Sequence, residues 1–209
     1  MWQVVLYINP ATVALFVAAV VALSATAAWW HHRSDGCAAN RGVKGVNAML
    51  AAWTVLVLAA TIMPTQPLGT GGHDIFWTPG EGLWTPTGEG GAALFAEERD
   101  MIVRLQIANA AMFVPLASLL TFSAPGRSAG RVVALCLLLS TAIETIQFVM
   151  AAGRTVDVDD LLFNTVGAVL GVAAARGALY AVGRLSPSGV RRGPSPRLRS
   201  AEMSGTEKQ

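Results

Sequence analysis

The sequence predicts an all-α, polytopic transmembrane helical bundle of five spans, with the N-terminus outside and the C-terminus cytoplasmic. Three observations predict it. Of the 209 residues, 53% are hydrophobic and 13% charged, about half the charged share, roughly 25%, of a soluble domain. Charge-free runs close to the ~20 residues needed to cross a bilayer recur along the chain, and their Ala/Leu/Val content does not alternate as barrel strands would. Lysine and arginine collect in alternate loops.

Residues 4–30 contain no charged side chain and read as the first span. Ala25-Thr26-Ala27 resembles a signal-peptide cleavage site, but no basic residue precedes His31, so the stretch is taken as an uncleaved span. Trp29 and Trp30 close it at headgroup level. A polar connection, 31–45, carries Arg33, Arg41 and Lys44 against Asp35. The second span covers 46–64 and ends at Pro64, so residues 1–64 hold two N-terminal transmembrane helices.

An extracytoplasmic loop over 65–100 follows, rich in Gly, Pro and Trp. It contains a near-repeat, Trp77-Thr78-Pro79-Gly80-Glu81-Gly82 echoed from Trp84 to Gly90. Gly and Pro at this density favour turns over helix, and the two Trp units let the loop lie on the membrane surface. The third span, 101–123, carries Arg104, Asn109 and Pro115. The fourth, 132–151, carries Glu144 and Gln147, and the fifth covers 160–182. These three form a core over 101–183, and the Ser/Pro/Gly/Arg-rich tail, 184–209, is expected to be disordered and cytoplasmic.

Orientation follows from the positive-inside rule. Loop 31–45, turn 124–131 and the segment from Arg176 onward hold twelve of the fifteen Lys and Arg residues; the alternate side holds Arg99, Arg104 and Arg154. Cys37 and Cys136 then lie at the cytoplasmic side and are expected to stay reduced.

The chain is organised around Gly153–Gly171, where an acidic loop runs into an apolar helix. Asn109 lies about 12 Å below the outer end of its span at 1.5 Å per residue. Glu144, Gln147 and Asn164 also fall in the outer leaflet half, just below Arg154, Asp157, Asp159 and Asp160. At about 100° per residue, Asp157, Asp160, Asn164, Gly167 and Gly171 share one face within about 80°. Glu144 and Gln147, three apart, share another. Asp159 points away from the Asp160 face and reads as an exposed acid or helix cap.

A charge at the centre of a membrane helix costs about 2.5–3.5 kcal/mol on insertion scales. Glu144 therefore pairs with Arg154 or Arg104, or carries a proton. Simpler structural roles stand beside these. Gly167 and Gly171 let helices approach closely, Asn109 and Asn164 serve as interhelical glue, Pro115 kinks its helix, and Asp159 and Asp160 cap the fifth helix. Glu144 is the hardest to explain structurally, because an intramembrane acid is a functional candidate by default.

Taken together, Asn109-x5-Pro115, Glu144-x2-Gln147 and Arg154-x2-Asp157-x2-Asp160-x3-Asn164-x2-Gly167-x3-Gly171 resemble the VanZ-like family over about residues 101–182, the loop over 65–100 being longer than the family's connection. The resemblance implies a multi-pass protein of the bacterial cell membrane, associated with low-level resistance to the lipoglycopeptide teicoplanin. It points to Asn109, Glu144, Gln147, Arg154, Asp157, Asp160 and Asn164 as ligand-binding positions.

Two functions are compatible with this pattern. In the first, the outer polar layer and the Trp loop bind the drug or the lipid-linked peptidoglycan precursor without turnover. Trp77 and Trp84 then supply apolar contact. In the second, an intramembrane enzyme modifies a lipid-linked headgroup, with Glu144 as acid or base and Asp157 and Asp160 as candidate catalytic groups. A proton-coupled transporter is weakened by the lack of an evident inverted repeat. Membrane lipid is the expected environment. No nucleic-acid partner, cofactor or metal is expected, since His31, His32 and His73 are far from the acids in sequence.

Overall fold

A computed structural model describes residues 22, 26, 37–63, 67–70, 75–80, 92–124, 126–151 and 156–185. Among the described residues four long helices carry the fold: α1 (Cys37–Ile62), α2 (Ala92–Ser123), α3 (Ala129–Met150) and α4 (Val158–Leu185). Each contains a stretch long and apolar enough to cross a membrane, Gly42–Ile62, Ala96–Ser123, Ala129–Met150 and Val158–Arg184. They correspond to the expected second to fifth spans, so four of the five expected spans are present among the described residues. The first span (apart from residues 22 and 26), Arg154, Trp84 and the tail beyond 185 lie outside them.

The helices are apolar all round. Val55, Leu138, Val149, Leu162 and Leu170 are exposed on the outer surfaces of α1, α3 and α4, as expected for helices bathed in lipid rather than facing water on one side. The chain is therefore read as a multi-pass membrane protein. Lipid tails are as apolar as leucine, so close van der Waals contact and interhelical hydrogen bonds must hold such helices together.

The α2–α4 pair supplies the closest contact and forms the spine of the bundle. The two run parallel: Gly167 lies against the Ala110 carbonyl and Gly171 against the Val114 carbonyl. A β-carbon on either glycine would fall onto that backbone oxygen, and one on Gly171 would also sit 2.9 Å from the Ala117 methyl. The Ser118 hydroxyl lies 2.9 Å from the carbonyls of both Val114 and Gly171, sharing its one proton between the helices. Phe113, Leu116 and Ala117 of α2 then pack with Ala168 and Val172 of α4, Val132, Cys136 and Ile143 of α3, and Val57 of α1. Cys136 is a buried free thiol.

Pro115 sits inside α2 without ending it. Proline lacks an N–H, so the Ala111 carbonyl loses its helical donor, and its ring crowds the preceding turn, where an outside donor reaches the neighbouring Met112 carbonyl. The Trp53 indole N–H of α1 donates to the Met112 carbonyl at 3.0 Å. Trp53→Phe is expected to lose about 1 kcal/mol, the net worth of one hydrogen bond, read as a lower unfolding temperature in detergent. No change would mean that packing alone joins α1 to α2.

Two boundaries differ most from expectation. α2 begins at Ala92, nine residues earlier than expected, because the Gly/Pro-rich sequence stops at Gly91 and Ala-Ala-Leu-Phe-Ala-Glu-Glu-Arg-Asp consists mostly of strong helix formers. α1 begins at Cys37, so residues 37–45 of the polar connection are helical, with membrane-length apolar sequence starting only at Gly42. The described fold is all-α, as expected, with one short extended pairing beside the helices. β1 (Ile75–Phe76) and β2 (Val156–Asp157) form a two-residue parallel ladder, with Ile75 opposite Val156 and Phe76 opposite Asp157. This ladder marks the end of the bundle where α3 stops and α4 starts, called here the ladder end.

Candidate functional site

The polar residues of the core concentrate toward the ladder end. Gln106 and Asn109 of α2, Ser140, Glu144 and Gln147 of α3, and Asn164 of α4 are all buried. Spacings of three and four put each set on one helical face. On α3 this is the stripe Ser140, Ile143, Glu144, Gln147, Ala151, which continues the apolar face begun by Val132 and Cys136.

Hydrogen bonds tie this layer together. Asn109 Nδ2 donates to Asp160 Oδ1 at 2.6 Å, joining α2 to α4. Asn164 Nδ2 donates to Ser140 Oγ at 2.8 Å, joining α4 to α3. Gln147 Nε2 donates to the Thr61 carbonyl at 2.9 Å, joining α3 to the last turn of α1. The Ser140–Asn164 pairing sets the antiparallel register of α3 and α4. One turn toward the ladder end on each helix brings Glu144 and Asp160 to the same level. Glu144 is 8% exposed and Asp160 is half-buried, so two carboxyl groups enter one layer from facing helices.

At the start of α4, Asp157 Oδ1 accepts the Asp159 N–H at 2.8 Å, the hydrogen bond of a helix N-cap. Asp159 is only 4% exposed, not the exposed acid expected, and its Oδ2 accepts the Gly80 N–H at 2.8 Å. The reason is the described part of the connection between α1 and α2, which packs onto the bundle. Besides Gly80, the Gly69 N–H donates to the Met150 carbonyl at 3.1 Å, and Ile75–Phe76 pairs with β2. Gly69 and Gly80 both have positive φ, 75° and 76°, a backbone that glycine adopts without penalty. The described part of the loop is therefore stapled to the ladder end at three points, and Trp77 beside the last staple is 72% exposed. Trp77 is thus free to meet the membrane surface, although its loop is fastened to the protein.

α3 ends at Ala151, whose left-handed φ of 43° is unusual for a residue other than glycine. Its N–H caps the helix on the Gln147 and Phe148 carbonyls at 3.2 and 3.3 Å.

Arg104 forms a surface ion pair with Asp100 at 2.7 Å, one turn back on its own helix, and is not the counter-charge expected for Glu144. Among the described residues, no three His, Cys, Asp or Glu side chains form a group that could hold a metal ion. Asp157 and Asp160 each commit an oxygen to the protein, one to the helix cap and one to Asn109.

The family model for VanZ/LLP1 matches residues 46–180, well over half of the chain. The chain belongs to the VanZ/LLP1 family. No curated protein and no solved structure matches it. The match runs from within α1 to within α4, so it takes in every staple of the loop as well as the polar layer, and extends beyond the three-span core that carries the resemblance.

Within this VanZ/LLP1 protein, the structure brings Asn109, Glu144, Gln147, Asp157, Asp160 and Asn164 to one end of the bundle. Arg154 lies outside the described residues. Asn109 and Asn164 each spend a donor on an interhelical bond, as the glue reading requires, and Gln147 does the same. The sequence reading does not single out Gln106, which is 1% exposed, nor Ser140 and Thr61. Gln106 carried a usable signal, since it is an amide three residues before Asn109 in an apolar helix. Ser140 and Thr61 carried none, because hydroxyl residues in apolar helices usually bond to their own backbone.

Proposed function

We propose that this VanZ-like protein gives low-level resistance to teicoplanin or related lipoglycopeptides by engaging the drug, or the lipid-linked cell-wall precursor it targets, at an outward-facing polar site. The observation that carries this reading is the convergence of Glu144, Asp160 and Asn109 beneath a stapled loop that presents an exposed Trp77 at the same end. Acidic and amide groups suit the polar part of an amphiphilic ligand, and an exposed indole suits its apolar part. Five spans, an outside N-terminus and a cytoplasmic C-terminus complete the proposal and put the ladder end outside. The distribution of Lys and Arg supports that orientation.

Binding is favoured over turnover. Helix capping by Asp157 and the Asn109 bond to Asp160 give both acids structural work, and the enzymatic reading needs them to serve a substrate or cation.

Expression of the wild-type protein in a glycopeptide-sensitive host is expected to raise the minimal inhibitory concentration of teicoplanin a few-fold. Glu144→Gln, which keeps size and hydrogen-bonding shape but removes the carboxyl, is expected to abolish that protection at equal membrane abundance. Equal protection from both proteins would eliminate Glu144 as the site, and no protection from the wild type would eliminate the drug.

A further inference from the structure

We propose that the end of the bundle opposite the ladder holds the headgroup of an anionic phospholipid, at a corner built by Arg127, Arg131 and Arg176. The inference stands apart from the polar layer and from the drug reading. The three arginines come from the turn between α2 and α3, the first turn of α3 and the later part of α4. The Arg127 N–H donates to the Ala124 carbonyl at 2.9 Å and the Arg131 N–H to the Ser128 carbonyl at 3.1 Å, which fixes the turn. Arg176 Nη2 donates to the Arg127 carbonyl at 3.2 Å and so joins α4 to it. That bond uses one of five guanidinium N–H donors.

Arg131 and Arg176 are exposed and Arg127 is half-buried. Each stands beside a glycine, Gly126, Gly130 or Gly177, where an added β-carbon would meet nothing within 4 Å. The corner is therefore open. It is also unopposed among the described residues. The described acids nearest to it along each helix are Asp100 on α2, Glu144 on α3 and Asp160 on α4. At 1.5 Å per residue they lie about 20 Å or more away, beyond twice the screening length of about 8 Å at physiological salt. Lys44 of α1 is exposed at the same end, where Val46 packs on Phe122 and Ala175.

Level and chemistry select a lipid phosphate. Arg176 lies about 27 Å along α4 from Val158, near the edge of a hydrocarbon core about 30 Å thick. Tyr180, one turn further, is 61% exposed and carries the Arg184 guanidinium 4.5 Å from its ring centroid. An exposed tyrosine favours the headgroup zone. From Arg131, exposed Leu135 and Leu138 continue along one face of α3, and from Arg176, exposed Val169 and Leu162 continue along one face of α4. A headgroup on the arginines would set its acyl chains against these strips, which a soluble anion could not use. The guanidinium fork fits phosphate, and a positive surface with no acid near it favours a lipid of net negative charge over a zwitterion.

The test is thermal unfolding of the full-length protein in nanodiscs of phosphatidylcholine with or without phosphatidylglycerol. Wild type is expected to unfold several degrees higher with phosphatidylglycerol, since a ligand bound only to the folded state stabilises it by mass action. Arg131→Gln is expected to lose about half of that gain, and the double variant with Arg176→Gln most of it. The gain is read within each variant, so a lower baseline from losing the Arg176–Arg127 bond does not enter. Arg99→Gln removes the same charge from an exposed position near the ladder end and is expected to keep the full gain.

No gain in wild type would overturn the inference. So would a full gain in the double variant, or an equal loss in Arg99→Gln, because either would mean diffuse attraction to the membrane. An equal gain from inorganic phosphate added to phosphatidylcholine discs would overturn the assignment to lipid.

Discussion

Gly171→Ala is expected to force α2 and α4 apart. The new methyl would land on the Val114 carbonyl and within 2.9 Å of the Ala117 side chain, and neither a backbone oxygen nor a methyl on the facing helix has a rotamer to escape into. Gly167→Ala meets the Ala110 carbonyl in the same way. Overpacking of this kind costs about 1–3 kcal/mol per site. Here it also stretches the Ser118 bridge to the Gly171 carbonyl, so the double variant is expected to lose the native bundle in mild detergent.

Gly177 provides the internal control. Nothing lies within 4 Å of where its β-carbon would sit, and alanine is worth up to about 1 kcal/mol more than glycine in a helix interior. Gly177→Ala should therefore unfold no lower than wild type, while Gly167→Ala and Gly171→Ala both fall. Equal stability of all three would show that the α2–α4 contact does not require these glycines. The comparison separates close approach from helix propensity, because propensity alone predicts that all three alanines stabilise.

Asp159→Ala is expected to release the loop over the ladder end. Asp159 Oδ2 is the acceptor for the Gly80 N–H, and a hydrogen bond to a charged group is worth about 1.5–3 kcal/mol, or roughly ten- to a hundredfold in the opening equilibrium of a local segment. Asp159→Asn keeps an acceptor oxygen and should fall between the two. Limited proteolysis of the 67–80 segment and hydrogen exchange at Gly80 read the effect directly, while the unfolding temperature of the helical bundle should move little. Unchanged cleavage in Asp159→Ala would mean that the ladder and the Gly69–Met150 bond hold the loop without it. Since the loop presents Trp77, loss of teicoplanin protection in the same variant would link the staple to the proposed function.

Much of the helical framework was legible because a bilayer imposes a simple rule. A segment without water must satisfy its own backbone, and about 20 apolar residues do so as a helix. Asn109, Glu144, Gln147 and Asn164 were conspicuous because amides and acids are costly in such segments. Their shared level followed from counting residues inward from each helix end. Gly167 and Gly171 announced a close contact by their four-residue spacing, but not the helix that would approach them.

What eluded sequence reasoning depended on contacts between distant segments. Asp159 and Asp160 are neighbours with the same side chain, yet one binds the Gly80 amide and the other binds Asn109. Helical phase pointed Asp159 away from the site and therefore toward solvent. In the folded protein the backbone around Gly80 occupies that position, since Gly80 meets a helix start some eighty positions later in the chain.

By itself, then, the sequence determined the membrane-length helices, the family and the level at which the polar groups lie, because burial in lipid penalises each misplaced residue individually. Only the tertiary structure decided which donor each acceptor receives, that the loop between α1 and α2 is fastened over the ladder end, and that Gln106 joins the layer. Hydrogen-bond partners are fixed by directions between helices, and a one-dimensional pattern carries depth and phase but not the neighbour that phase will meet.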